Sequence, residues 1–521
     1  MKLALLQFRG ESIYQHESTA AKIEALIERA CAQKPDYIVL PECAYPAYII
    51  RPEQTIMDKA LAASESVLTS IASLAKRHRV YITVGIAVER DGALRNAAVT
   101  FDRNGREINL TAKSNLWHFD DRWFVPGDGY SAFDTEFGRV GAMICADGRI
   151  PEIAALLAAD GATLIVDPVN LVASAEKPEL LTNQQYEFIL QERAKENGLF
   201  IAACDKCGVE AGAVTFLGRS FVVGPEGEMI DQCSPDKEEI RIVEIDLSKA
   251  KHRVRLSAEH YSLMTAPSQS LPVAEICQRS YTVEELAIFT MVARFGAGSA
   301  DEYLEKARRY AQSAWILRAR LLILPEMAPR FRFDERALRE FADSLAEGYS
   351  VLLAGTETRE GSPRRTAVVL QRGAEPQPLS SIIYPGEDLP APVKVLQLTP
   401  SIRLGAIFDE EVHIPEVSRT AMLNGADILV CFDTAQGDIY SRAIRTRAAE
   451  NKIFVVRSAS AQAEECSYII NPDGGKVTTT FRAVEHSAAA FINTALSKFK
   501  SVVPGTEIVT GRIPSMYRTL I

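Results

Sequence analysis

Three side chains in the first half of this 521-residue chain could together carry out acyl transfer: Glu42, Lys113 and Cys145. A carboxylate can take the proton of a thiol, and the resulting thiolate can attack a carbonyl carbon. An ammonium lowers the thiol pKa and steadies the oxyanion that forms. Each residue stands where strand-like sequence ends, which is where α/β folds expose functional groups. Glu42 follows Tyr37 to Pro41, Lys113 follows an extended run, and Cys145 ends the apolar run Arg139 to Ile144. Taken singly, each reads as a surface charge or a small buried hydrophobe, and spacing alone does not bring the three together.

The elements that must position them follow an α/β pattern, with short apolar runs alternating with helical segments. Strands are expected at Lys2 to Phe8, Tyr37 to Pro41, Val80 to Val88, Asn96 to Phe101, Arg139 to Cys145, Ala162 to Pro168, Leu199 to Cys204, Ser220 to Pro225 and Ile240 to Asp246. Helices are expected over Glu17 to Gln33 and at about 54–78, 150–161 and 182–197. The polar, proline-punctuated stretch from Thr265 to Val273 reads as a linker.

The pattern then repeats. Leu286 to Arg294 echoes the first strand, and Leu322-Ile323-Leu324-Pro325-Glu326 matches Ile38-Val39-Leu40-Pro41-Glu42. Residues 405–430 align without a gap on 141–166, with eight of 26 positions identical, among them both Ile-Pro-Glu triplets. Arg193-Ala194-Lys195-Glu196-Asn197 returns as Arg447-Ala448-Ala449-Glu450-Asn451. The chain is two copies of one domain: 1–265, a linker over 266–283, and 284–521. In the second copy Glu326 is kept, but Asp409 stands at the nucleophile position. No lysine occurs between Glu326 and Lys394, and the segment matching Lys113 reads Leu379-Ser380-Ser381-Ile382. With no cation expected beside Asp409, this copy reads as structural and non-catalytic.

Leu40-Pro41-Glu42, Lys113 followed by Phe124-Val125-Pro126-Gly127-Asp128, and the run Gly141 to Glu152 around Cys145 together resemble the signature of the nitrilase superfamily of carbon-nitrogen hydrolases. The resemblance covers residues 1 to about 260. It implies an αββα sandwich, with Glu42 as general base, Lys113 as oxyanion stabiliser, Cys145 as nucleophile and the Ala146 backbone N–H as a second oxyanion donor. Many family members carry a second Glu seven residues before the Gly of the Pro-Gly turn. Asp120 occupies that place here, a secondary catalytic candidate one methylene shorter, for which an exposed loop carboxylate beside Asp121 is the competing reading. The implied reaction is hydrolysis of a small linear amide through a thioester, with N-carbamoyl amide hydrolysis and nitrile hydrolysis as alternatives. A non-catalytic binding or scaffold protein is the alternative of another class. Tyr45, Trp117, His118, Trp123 and Asn170 are substrate-pocket candidates by their nearness to the motifs, with core packing the competing reading for the aromatics. Arg149, four residues after the nucleophile, is a candidate for binding a substrate carboxylate, with a helix-start salt bridge to Glu152 as the competing reading. The resemblance also implies that the two copies pack as an intramolecular pseudo-dimer.

Composition narrows the rest. A net charge of −10 speaks against nucleic acid as partner, and the densest basic run, His252 to Arg255, is short. No apolar run reaches the ~18 residues of a membrane span, and the start of the chain reads as a strand rather than a signal peptide. Nine cysteines without framework spacing point to reduced thiols and a cytoplasmic protein. Cys204 and Cys207 form the only CxxC, without a second ligand pair. No metal and no cofactor is expected. The expected partner is a small-molecule amide, carbamoyl compound or nitrile, with homo-oligomers of such chains left open.

Overall fold

The structure, a computed structural model, describes residues 1–50, 53–251, 258–328, 332, 334–359, 362–383, 393–435, 437–459 and 465–520. The basic run at 252–255 lies outside the described residues. The chain divides into two units: Met1–Arg255 with Val503–Thr506 and Ser515–Leu520, and Leu256–Val502 with Glu507–Pro514 and Ile521.

In chain order the first unit contains β1 (Lys2–Gln7), α1 (His16–Cys31), β2 (Tyr37–Val39), α2 (Gln54–Ala62), α3 (Ser64–His78), β3 (Tyr81–Arg90), β4 (Ala93–Phe101) and β5 (Glu107–Ala112). It continues with β6 (Phe133–Thr135), β7 (Gly138–Ala142), α4 (Pro151–Ala159), β8 (Leu164–Val169), α5 (Leu190–Asn197) and β9 (Phe200–Asp205). A small ribbon of β10 (Val209–Glu210) and β11 (Val214–Thr215) precedes β12 (Phe221–Val223), β13 (Met229–Gln232) and β14 (Glu239–Glu244). Two six-stranded mixed sheets result, ordered β14-β1-β2-β3-β4-β5 and β13-β12-β9-β8-β7-β6.

The sheets face each other through β1 on β9 and β3 on β8, with α1 and α3 covering the first sheet and α4 and α5 the second. Strand alternation explains the layering. Ala4, Leu6, Ile38, Leu40, Ile82 and Val84 point into a core shared with Ile23, Ile27, Leu68 and Ile71 of the helices. Leu3, Leu5, Tyr37 and Val39 are equally buried and belong to the opposite face. The helix expected over 54–78 is interrupted at Ala63, and that expected over 182–197 opens with a π turn at Gln185–Ile189.

The second unit repeats the plan. It holds α6 (Ala258–Thr265), α7 (Pro272–Gln278), α8 (Val283–Leu286), β15 (Ala287–Arg294), α9 (Ala300–Ile316), β16 (Leu321–Ile323), α10 (Glu335–Ser344), β17 (Ser350–Arg359), β18 (Ser362–Gln371) and β19 (Gln377–Ile383). After these come β20 (Leu396–Gln397), β21 (Arg403–Phe408), α11 (Pro415–Leu423), β22 (Ile428–Asp433), α12 (Ser441–Asn451), β23 (Phe454–Ala459), β24 (Tyr468–Ile470), β25 (Lys476–Thr479) and β26 (His486–Asn493). The sheets are ordered β19-β18-β17-β16-β15-β26 and β20-β21-β22-β23-β24-β25. Each unit is an αββα sandwich.

The expected linker is a folded part of the second unit. Val273 and Ile276 of α7 are buried, and Ile276 Cδ1 lies so close to Gly425 that a Cβ there would come within 2.1 Å of it. The polar residues that suggested a linker precede this short helix, and one of them, Ser268, is itself buried and donates to Val509 O at 2.7 Å. α6 belongs with the second unit, where it packs against α11.

Candidate active site

Pro41 and Glu42 follow β2 and run beside β3, where Leu40 N donates to Thr83 O and Ala44 N to Gly85 O. A side chain at Gly85 would sit 2.3 Å from Pro41 O and 2.6 Å from Glu42 Cα, so only glycine lets the carboxylate-bearing segment approach this closely. Lys113 leaves the end of β5, held by Lys113 N to Asn96 O at 2.8 Å and Gly127 N to Lys113 O at 2.8 Å. A Cβ at Gly127 would meet Ala112 O at 2.2 Å, which gives the Pro-Gly turn after Lys113 its structural reason.

Cys145 follows β7 at the start of a 3-10 turn, Cys145–Arg149, with φ of +51°. A non-glycine residue in the left-handed region is strained and persists only where its surroundings fix it. Here Cys145 N donates to Asp167 Oδ1 at 2.7 Å, Gln185 Nε2 donates to Cys145 O at 2.7 Å, and the thiol faces Asn170 O at 3.7 Å. Asp147 secures the turn and the Lys113 loop together, accepting from Ile144 N, Ser114 N and Asn115 N. Asn115 Nδ2 in turn donates to Ala146 O at 2.7 Å.

At the centre, Lys113 Nζ donates to Glu42 Oε1 at 2.7 Å and to Asp120 Oδ2 at 2.6 Å, all three side chains fully buried. Asn96 Nδ2 adds a second donor to Glu42 Oε1 at 2.7 Å. Among the described residues Glu42 Oε2 has no hydrogen-bond partner, which leaves an acceptor open in the site. Burial pushes the Glu42 pKa up and Asp120 adds to this, against the pull of Lys113 and Asn96. Burial works to discharge Lys113, but Asp120 and Glu42 outweigh it and hold the ammonium well above its ordinary pKa. Burial and the Glu42 charge raise the Cys145 thiol well above its usual range, Lys113 opposing. The resting site therefore holds a neutral thiol, a carboxylate more basic than usual and a permanent cation.

Asp120, whose competing reading was an exposed loop carboxylate, has no solvent exposure and accepts from Trp117 N at 3.0 Å as well as from Lys113. The pocket candidates fare unevenly. Trp117 is half-buried, with the Arg149 guanidinium 5.3 Å from its ring centre, and Arg149 Nη2 donates to Gln184 Oε1. Asn170 donates to Glu42 O at 2.9 Å and is 2% exposed. Trp123 packs edge-on against Phe119. His118 is exposed, its ring bonded to Pro504 O. Tyr45 is a correction: its hydroxyl donates to Ala60 O and meets His16, and its ring belongs to the core beneath the first sheet's helices. Three residues on, Tyr48 instead packs against Phe119 and Phe216, within electrostatic range of Asp120 and Lys113. Asn96, Asp167, Gln185 and Tyr48 were missed by sequence reasoning; only the asparagine in an apolar strand carried a signal, a buried amide that needs a partner.

The corresponding place in the second unit corrects a further expectation. A cation does stand beside Asp409. Arg365 on β18 occupies the register position of Asn96 on β4, since Gly85 pairs with Ala98 as Ala354 pairs with Ala367. Its Nε and Nη2 donate to the two oxygens of Glu326 at 2.7 and 2.5 Å, and its Nη1 bonds Asp409 Oδ2. Thr434 N and Oγ1 donate to Asp409 Oδ1 at 2.8 and 2.9 Å. Asp409 keeps the left-handed backbone of Cys145, with φ of +40°, but every carboxylate oxygen of this triad is engaged. Such a triad cannot supply a free base.

Among the described residues no cluster of His, Cys, Asp and Glu could hold a metal ion, and no helix is long and apolar enough to cross a membrane. The carbon-nitrogen hydrolase family matches residues 2–253 and again 286–480. A nitrilase of Pyrococcus abyssi is 32% identical over 256 residues, covering 49% of this chain and 92% of the relative. The omega-amidase of Bos taurus is 30% identical, over 48% of this chain and 89% of its own. An N-carbamoylputrescine amidase of Solanum lycopersicum is 26% identical, over 45% and 83%. A solved carbon-nitrogen hydrolase of Helicobacter pylori covers 48% of this chain and 90% of its own, with a TM-score of 0.44. By the match of both its halves, this chain belongs to the carbon-nitrogen hydrolase family.

Proposed function

We propose that the first unit hydrolyses the carbon-nitrogen bond of a small linear amide, releasing ammonia or an amine through a thioester on Cys145. Glu42 takes the thiol proton on its open oxygen as Cys145 Sγ attacks the carbonyl carbon. The new oxyanion is held by Lys113 and the Ala146 N–H, and the proton passes from Glu42 to the departing nitrogen. Water, deprotonated by Glu42, then cleaves the thioester to the free acid and restores the thiol. Asp120 takes part by fixing the Lys113 ammonium. The second unit is read as non-catalytic, its carboxylates closed by Arg365.

The observation that carries this reading is Lys113 Nζ bonded to two buried carboxylates, each of which keeps one oxygen without a hydrogen-bond partner among the described residues, beside a cysteine on a strained turn. A purely structural ion cluster would have no use for open acceptors, and in the second unit the corresponding carboxylate oxygens are all engaged. Relatives named as amidase, carbamoyl amidase and nitrilase support the reaction class. The test is release of ammonia from a panel of short aliphatic amides, N-carbamoyl amines and nitriles. Turnover of amides that is lost in Cys145→Ala supports the proposal. Turnover of only another class, or of none, overturns the amide assignment.

A further inference from the structure

We propose that Thr506, close to the C-terminal end of the chain, is a positioning residue for the Lys113 cluster; this rests on the reaction proposed above. The segment Val503–Thr506 belongs to the first unit. The Thr506 hydroxyl donates to Leu116 O at 2.9 Å and accepts from His118 N at 2.8 Å. One hydroxyl thus grips the backbone on both sides of Trp117, with its donor and an acceptor position both used. Trp117 N donates to Asp120 Oδ2, and that same oxygen holds Lys113 Nζ. Three successive contacts therefore lead from Thr506 to the ammonium.

The neighbours of Thr506 fit the same purpose. His118 stands at φ of +50°, a conformation that costs energy unless something holds it, and its Nδ1 meets Pro504 O at 3.0 Å. Gly505 has φ of +86°, and a Cβ there would come within 2.7 Å of His118 O. Pro504-Gly505-Thr506 is thereby matched to the turn that carries Asp120, although nearly 390 residues separate them in sequence. The consequence is that the chain following a unit without a working site supplies a brace to the unit that has one.

In the full chain, Thr506→Val removes the hydroxyl and keeps the shape. It strands the His118 N–H and the Leu116 carbonyl, and kcat on an amide substrate should fall about tenfold or more while KM changes less than about threefold. Thr506→Ser, which restores the hydroxyl, should return kcat to within about threefold of wild type. A valine variant as active as wild type, or valine and serine variants equally impaired, would overturn the proposal. Should Thr506→Val not fold, hydrogen exchange in the wild-type chain decides. The His118 amide should be protected at least about tenfold over a free loop amide, and an unprotected amide overturns the brace. If Cys145→Ala keeps its activity, the reaction itself is misassigned; if it is inactive while Thr506→Val is normal, only the brace is wrong.

Discussion

Replacing Arg365 by leucine tests the account of the second unit. Glu326 is 1% exposed and Arg365 5%. The substitution removes both guanidinium bonds to Glu326 and the bond to Asp409, and leaves a buried carboxylate without a cation. Removing one partner of a buried pair costs about 3–5 kcal/mol. For a unit of roughly 250 residues that corresponds to a lowering of the unfolding midpoint of about 6–20 °C. The pH dependence has a definite sign. Burial already raises the Glu326 pKa, and without Arg365 to oppose it the folded-state value climbs further. A raised folded-state pKa means that stability present at low pH is lost as pH rises through that value, so the variant suffers more at pH 8 than at pH 5. Scanning calorimetry of the full chain at both pH values is the assay. Adding Glu326→Gln and Asp409→Asn to the leucine variant should recover most of the loss. A midpoint shift under about 2 °C at pH 8, or a loss no smaller at pH 5, would refute the reasoning.

Two further expectations concern the first unit. Since Glu42 must be ionised to accept the thiol proton and burial raises its pKa, the acid limb of kcat/KM should lie above the ~4.3 of a solvated glutamate; a limb at or below that value contradicts the assignment of the base. Asp120→Asn keeps the shape but removes a charge-assisted bond from Lys113, so kcat should fall about 10- to 100-fold, as steady-state kinetics would record.

What could be read from the sequence follows from the range over which each signal acts. Glu42, Lys113 and Cys145 end strands whose apolar runs are local, so the motifs and the duplication were legible, as was the alternation that builds both sheets. Asn96 and Arg365 were not, because their importance comes from a cross-strand register that brings β4 onto β3 and β18 onto β17. Tyr45 and Tyr48 are three residues apart in a segment outside the strands and helices, where no periodic pattern tells which of them faces the site. The segment taken for a linker folds because two apolar residues, Val273 and Ile276, find a surface that a local reading cannot see. Thr506 lies beyond any window that includes Lys113.

The most direct test of the proposed chemistry is the mass of the intact protein during turnover. Glu42→Gln retains an oxygen that can accept from Lys113 and Asn96 but lacks the base that activates water, so an acyl adduct formed slowly should accumulate. Mixed with an amide substrate, this variant should gain the mass of the acyl group, carried on the peptide containing Cys145 and absent from Cys145→Ala. An adduct on any other cysteine, or turnover by Cys145→Ala, would contradict it.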